Sequence, residues 1–318
     1  MRFLALVPGG IGDQLLFFPT LADLKQAFPQ AQIDVVVEPR AAGAYRLCPH
    51  VRQVMVFDFK GRNSLTEWIN LLGNIREGFY DAVLALGQQW GVGFFLWLTG
   101  IPNRIGYDGP GRPFLTRAVP LKTEQYAAHL YHDLLQGLGI GTACPPLSVQ
   151  LAATDVAWAE AEQTRLGILE SGFLLIHGGA SALSQKKGLD KLYPIPQWQA
   201  VLAGLKVQQP HLPCVLLQGP EDGAWVEALT TSHPDLRVVS PPDLGKLAAL
   251  IASANLMLCT DSAPMHLGVA LQTPLVALFG PTEARKLLPP TGPFRAVQSP
   301  AGRMADIEPS AILQALQS

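Results

Sequence analysis

Phe3-Leu4-Ala5-Leu6-Val7 runs into Pro8-Gly9-Gly10-Ile11-Gly12-Asp13, an apolar stretch that stops in a glycine-bearing turn and ends on a carboxylate. The same event recurs in the opposite half of the chain, where the apolar run 256–260 meets Asp261-Ser262-Ala263-Pro264-Met265-His266. A strand that ends in a polar turn and opens a helix leaves unpaired backbone N–H groups at the helix start, and those suit a phosphate. One such turn is weak evidence. Two of them predict two nucleotide-fold domains facing each other across a cleft.

Outward from these turns the pattern is strand then helix, repeatedly. Strands are expected at 3–7, 33–37, 54–57 and 82–86, with helices at 14–27, 65–78 and 129–138 and a short one around 45–48. Cys144-Pro145-Pro146 interrupts the alternation, and an alanine-rich helix follows at 155–166; residues 145–170 read as the connection. Alternation then resumes, with strands at 173–177, 214–218, 236–239, 256–260 and 275–279. Helices are expected at 195–208, 224–230, 244–253, 265–271 and 309–316. This order implies parallel sheets covered by helices on both faces. The expected division is 1–153 and 154–318, with the last helix, 309–317, packing back on the first domain.

At 318 residues the chain is near the limit of a single core, which also favours two domains. Apolar residues make up 48% and charged residues 15%, a composition that excludes disorder. A formal charge of −2, with no basic block, argues against nucleic acid as a partner. Cys48, Cys144, Cys214 and Cys259 form no C-x-x-C pair and read as reduced thiols, neither a disulfide frame nor a zinc site. The uncharged stretch 83–101 is long enough to span a bilayer, but Gln88, Gln89 and four glycines make it strand, turn and short helix. The N-terminal apolar run is too short for a signal peptide.

The individual turns each carry two readings. Gly9-Gly10-Ile11-Gly12-Asp13 is not a dinucleotide fingerprint, because Leu15 stands where the last glycine would be, and no P-loop occurs. Asp13 is either a helix cap or a general base at the sheet edge. The strand 173–177 leads into Gly178-Gly179-Ala180-Ser181 and then Lys186, Lys187 and Lys191. Glycines let a backbone approach a ligand and lysine supplies charge to a diphosphate; the alternative is a solvated basic loop. Glu221, after the strand 214–218, either binds ribose hydroxyls or sits in the first turn of a helix. His266, coupled to Asp261 and a helix start, points to phosphate binding. The other histidines lack metal-ligand spacing and no D-x-D pair occurs, so neither a metal nor a cofactor is expected.

Taken together, Gly10-Ile11-Gly12-Asp13 with Pro19 and Leu24-Lys25, His177-Gly178-Gly179-Ala180-Ser181, Asp261-Ser262 with Met265-His266-Leu267, and Phe279-Gly280-Pro281-Thr282 resemble glycosyltransferase family 9, the heptosyltransferase-like enzymes. The resemblance implies the GT-B architecture, two Rossmann-like domains with the donor mainly on the C-terminal one. It also implies inverting, metal-independent transfer of a sugar, heptose by preference, from an ADP-linked donor to a lipopolysaccharide-like or cell-surface glycan acceptor. By resemblance Asp13 is the base, and Ser181, Lys191 and the turn Ser262, Ala263, Met265 and His266, after Asp261, hold the diphosphate. Glu221 would take the ribose, while Gly12, Lys60 and Arg62 are the acceptor-side candidates. A cytoplasmic enzyme peripheral to the inner face of the plasma membrane is expected.

Three departures accompany the resemblance. Ala263 stands where the family has glycine, Gly178 where it has proline, and Lys191-Leu192-Tyr193-Pro194 follows the serine after extra residues, so Lys186 or Lys187 competes for the diphosphate. The rival readings are a nucleotide-sugar epimerase of the same architecture and a nucleotide-binding module that has lost its chemistry.

Overall fold

A computed structural model describes residues 1–179 and 190–317. The chain divides into two compact units, Met1–Gln150 and Leu151–Ser318. The boundary falls inside the expected connection, 145–170.

The first unit is built on six parallel strands: β1 (Arg2–Val7), β2 (Gln32–Val37), β3 (Gln53–Val56), β4 (Ala82–Ala85), β5 (Asn103–Tyr107) and β6 (Arg117–Val119). Their spatial order is β3-β2-β1-β4-β5-β6. Phe3 to Val7 are at most 3% exposed, because β1 is central and covered on both faces. Its register pairs Leu6 with Val36 on one side and with Ala85 on the other. Helix α1 (Ile11–Ala27) is buried continuously from Gln14 to Leu21 and carries Pro19 inside it. Helices α2 (Leu65–Glu77) and α3 (Trp90–Leu98) meet through Trp68, whose ring centre lies 4.6 Å from Phe57 and 5.3 Å from Phe95. Helix α4 (Ala127–His132) packs on α1 and runs on as a tighter helix to Leu138, ending at Gly139 in the left-handed region.

The stretch 83–101 is β4, a turn and α3, and no helix among the described residues is long and apolar enough to cross a membrane. Strands β5 and β6 fall outside the expected elements. β5 contains Asn103, Arg104 and Gly106, and β6 is three residues long, so neither has a β-branched run to announce it.

The second unit repeats the plan with β7 (Leu174–His177), β8 (Cys214–Leu217), β9 (Arg237–Val239), β10 (Leu256–Thr260), β11 (Leu275–Phe279) and β12 (Phe294–Gln298), all parallel. The order is β12-β11-β10-β7-β8-β9, which is the same arrangement read from the other side. Its helices are α5 (Ala153–Leu166), α6 (Ile195–Gln208), α7 (Gly223–Ser232), α8 (Leu244–Ser253), α9 (Ala263–Ala270), α10 (Ala284–Leu287) and α11 (Pro309–Gln317). Helix α5 packs against α8. Ile312 and Leu316 of α11 join Trp198, Leu202 and Leu205 in the core of this second unit, so α11 rests on α6 and β12. The edge strand β12 was not expected; it is short and half-exposed.

In a doubly wound sheet the chain leaves two neighbouring strands in opposite directions at one point, and ligands collect at their carboxyl ends. That point lies between β1 and β4 in the first unit and between β7 and β10 in the second. The two turns that stood out in the sequence follow β1 and β10.

Candidate active site

In the first unit Gly10 is the cap of α1 and Asp13 sits in its first turn. The Gly10 N–H donates to Asp13 Oδ2 at 2.7 Å, and the Tyr131 hydroxyl donates to Asp13 Oδ1 at 2.9 Å. Burial first, and the Asp13 charge second, push the Tyr131 phenol well up, so it stays a donor. The capping role and the base role are therefore compatible. Each carboxylate oxygen has one partner and keeps acceptor capacity, and the side chain remains half-exposed. Only glycine fits at position 9, where a Cβ would stand 2.3 Å from the Asp13 Cβ. Gln14, fully buried, pins the turn by donating to Val7 O at 3.0 Å while accepting from the Tyr45 hydroxyl at 2.7 Å.

The acceptor-side candidates are spread out. Gly12 is half-buried inside α1, and Arg62 is exposed after β3. Lys60 Nζ lies 3.8 Å from Glu38 Oε1. Burial chiefly raises the Glu38 carboxyl, with Lys60 and Arg40 opposing and Asp58 adding. A guanidinium, that of Arg40, reaches the Asp13 turn: a Cβ on Gly10 would stand 3.5 Å from it and 3.8 Å from Asp13 Oδ2.

In the second unit the register sets Cys259 of β10 beside His177 of β7, which brings the two strand ends together. The Thr260 hydroxyl donates to Gly179 O at 2.8 Å and closes the junction. Asp261, 5% exposed, receives Lys191 Nζ at 2.5 Å and the Thr282 hydroxyl at 2.7 Å. Its carboxylate thus fixes the lysine and the turn after β11, and the ammonium keeps two further donors. Ser262 caps α9 without bonding the helix N–H groups. Its hydroxyl donates to Thr260 O at 3.1 Å and lies 3.2 Å from His177 Nδ1. On the far side of that ring, Nε2 is 3.3 Å from Asp222 Oδ2. Burial pushes the Asp222 carboxyl up, but the His177 hydrogen bond and charge and the Gly219 N–H outweigh it and hold the group below its ordinary range.

Of the donor-side candidates, Lys191, Asp261, Ser262 and Ala263 meet at this strand end. Met265 is fully buried core, and His266 is buried within α9. Glu221 is exposed, and its neighbour Asp222 takes the inward position. Ser181, Lys186 and Lys187 lie outside the described residues. Gly178 abuts Trp225: a Cβ there would stand 2.5 Å from the indole, which fills the space a proline would need. Tyr131, Gln14, Arg40, Asp222 and the ring of His177 are the contributors that sequence reasoning missed. Among the described residues no cluster of three or more His, Cys, Asp or Glu could hold a metal ion.

The fold and these strand ends define a two-unit, Rossmann-like α/β protein with a glycine-bearing strand end at the switch point of each sheet. Residues 68–314 match the model of glycosyltransferase family 9 (heptosyltransferase), and the chain belongs to that family of glycosyltransferases. Among curated proteins it is 25% identical, over 99% of its length and 73% of the relative's, to photosynthetic NDH subunit of subcomplex B 1, chloroplastic, of Arabidopsis thaliana. It is 24% identical to lipopolysaccharide heptosyltransferase 3 of Escherichia coli, over 86% of this chain and 81% of that one. Among solved structures, a family 9 glycosyl transferase from Veillonella parvula superposes with a TM-score of 0.84 at 22% identity, covering 99% and 96% of the two chains. ADP-heptose lps heptosyltransferase II of E. coli gives 0.79 at 20% identity, covering 100% and 98%.

Proposed function

We propose that this glycosyltransferase moves a sugar, heptose by preference, from an ADP-linked donor to a lipopolysaccharide-like or cell-surface glycan, with inversion and without a metal. The names of the heptosyltransferase relatives support the donor and acceptor classes. The observation that carries the mechanism is a division of chemistry: a half-exposed carboxylate ends one switch point, and a lysine with a serine-capped helix start ends the other.

Asp13 accepts the proton of the acceptor hydroxyl as that oxygen attacks the anomeric carbon. The bond from that carbon to the diphosphate oxygen breaks, and the leaving group departs with the electron pair. Charge grows on the diphosphate, where Lys191, the Ser262 hydroxyl and the Ala263 N–H at the start of α9 offer donors. Preorganised donors of this kind lower the barrier where charge develops.

The test is calorimetric binding of ADP, UDP, GDP and CMP to the full chain, without metal and then with magnesium. Selective ADP binding that magnesium leaves unchanged is expected. Selectivity for UDP or GDP would change the donor. The reading as a nucleotide-binding module without chemistry draws on the Ala263 and lysine-loop departures and on the subunit relative, and nucleotide binding without transfer to any glycan acceptor would favour it.

Cytoplasmic residence with peripheral membrane contact belongs to the same proposal. Helix α3 exposes Trp90 at 56% and Trp97 at 52%, with Phe94 stacked between them. Tryptophans favour the membrane–water interface. Sedimentation with anionic vesicles should fall for the double variant Trp90→Ser, Trp97→Ser; equal sedimentation would remove α3 from this role.

A further inference from the structure

We infer that His177 is a proton-coupled positioning residue, whose double protonation frees the Ser262 hydroxyl to turn to a phosphate oxygen. The inference rests on reading this strand end as the diphosphate site and goes beyond it by linking binding to a proton.

The argument is a count of hydrogens. Ser262 Oγ has one, and two acceptors compete for it: Thr260 O at 3.1 Å and His177 Nδ1 at 3.2 Å. The other ring nitrogen faces Asp222 Oδ2 at 3.3 Å, and a carboxylate held below its ordinary range only accepts. Nε2 therefore carries a proton in every arrangement that keeps this contact. If His177 is neutral, Nδ1 is bare and competes with Thr260 O and with any ligand for the single serine hydrogen. If His177 is charged, Nδ1–H donates to Ser262 Oγ, and the serine hydrogen is released to Thr260 O or to an incoming phosphate.

The surroundings favour such a coupled group. Among the described residues, charged or titratable groups at this strand end include Asp222 before α7, Asp261 with its partner Lys191, His266 buried within α9, and the Cys259 thiol beside His177 in the sheet. Burial pushes that thiol up, so it stays neutral. Gly179 has no room for a Cβ, which would stand 1.9 Å from Asp222 Oδ1, so the backbone itself holds the carboxylate against the ring. Asp222 in turn accepts the Gly219 N–H at 2.7 Å, which fixes its orientation.

The experiment is calorimetric titration of the full chain with ADP at pH 8 in HEPES and in Tris, whose ionisation heats differ. At this pH the terminal phosphate of ADP is already ionised and an ordinary imidazole is neutral. Wild type should take up protons on binding ADP, and its affinity should fall as pH rises further, by up to about tenfold per pH unit. His177→Gln should bind ADP with no proton uptake. Ser262→Ala, which leaves the His177–Asp222 pair in place, should also lose the uptake and guards against a folding defect in the first variant. Binding by wild type without uptake, or uptake that persists in both variants, overturns the coupling. Failure of wild type to bind ADP overturns the diphosphate reading beneath it and is recognised by the absence of any heat.

Discussion

Each unit carries the same device at the end of a strand, after β1 in the first and after β8 in the second, and the two are used differently. Gly10 and Asp13 in the first unit, and Gly219 and Asp222 in the second, are both a glycine whose N–H donates, at 2.7 Å, to a carboxylate three residues on. In each unit a glycine also makes room for that carboxylate: Gly9 for Asp13 and Gly179 for Asp222. The second partner then decides the chemistry. Asp13 meets a neutral phenol and stays half-exposed, which suits a group that takes a proton from substrate. Asp222 is 7% exposed and faces an imidazole, which suits a counterion. Backbone geometry delivers the carboxylate, and one distant side chain assigns its task.

The largest expected effect breaks the first half of that comparison. Asp13→Asn keeps the shape of the turn but removes the proton acceptor, and transfer should fall by about 10²- to 10⁴-fold in kcat. ADP affinity, measured by calorimetry on the same variant, should be unchanged. Intact transfer would show that another group takes the proton.

Lys191→Met is the complementary change. It should weaken ADP binding by about 10- to 100-fold, the usual size of a lost hydrogen bond to a charged group. Unaltered ADP affinity would pass the role to a lysine outside the described residues.

The smallest effect sharpens the second half. The folded-state pKa of Asp222 is depressed, so its contribution to stability is present above the ordinary aspartate value of 3.8 and is lost as pH falls through the folded value. Asp222→Asn should therefore destabilise the chain by about 1 kcal/mol at pH 7, with the difference shrinking below pH 3.8. Urea melts at the two pH values check this. A difference that stays constant with pH would make Asp222 a packing group and not a charge partner.

Much of the frame was legible because parallel strands buried on both faces must be continuous apolar runs. β10, β11, α6 and α8 lie where periodicity put them, and the helix before β7 was visible as a helix. That α5 packs on α8 within the second unit was not legible, because packing is not a local property. β5, β6 and β12 were missed because short strands with polar residues or glycine owe their state to the neighbour they pair with. That Asp222 and not Glu221 is the buried one of the pair was illegible for a similar reason. Two adjacent acids look alike in a sequence, and only the turn decides which faces the sheet edge.

By itself the sequence determined the α/β alternation, the two glycine-bearing strand ends, the family resemblance and the candidacy of Asp13, Lys191 and Ser262. These follow from local rules, since apolar runs, glycine turns and helix starts act over a few residues. Tertiary structure alone decided that Tyr131, distant by 118 positions, meets Asp13, and that His177 joins Ser262 to Asp222. The physical reason is that a parallel sheet returns its strands to one edge only after long crossovers, so the partners of an edge residue come from distant parts of the chain.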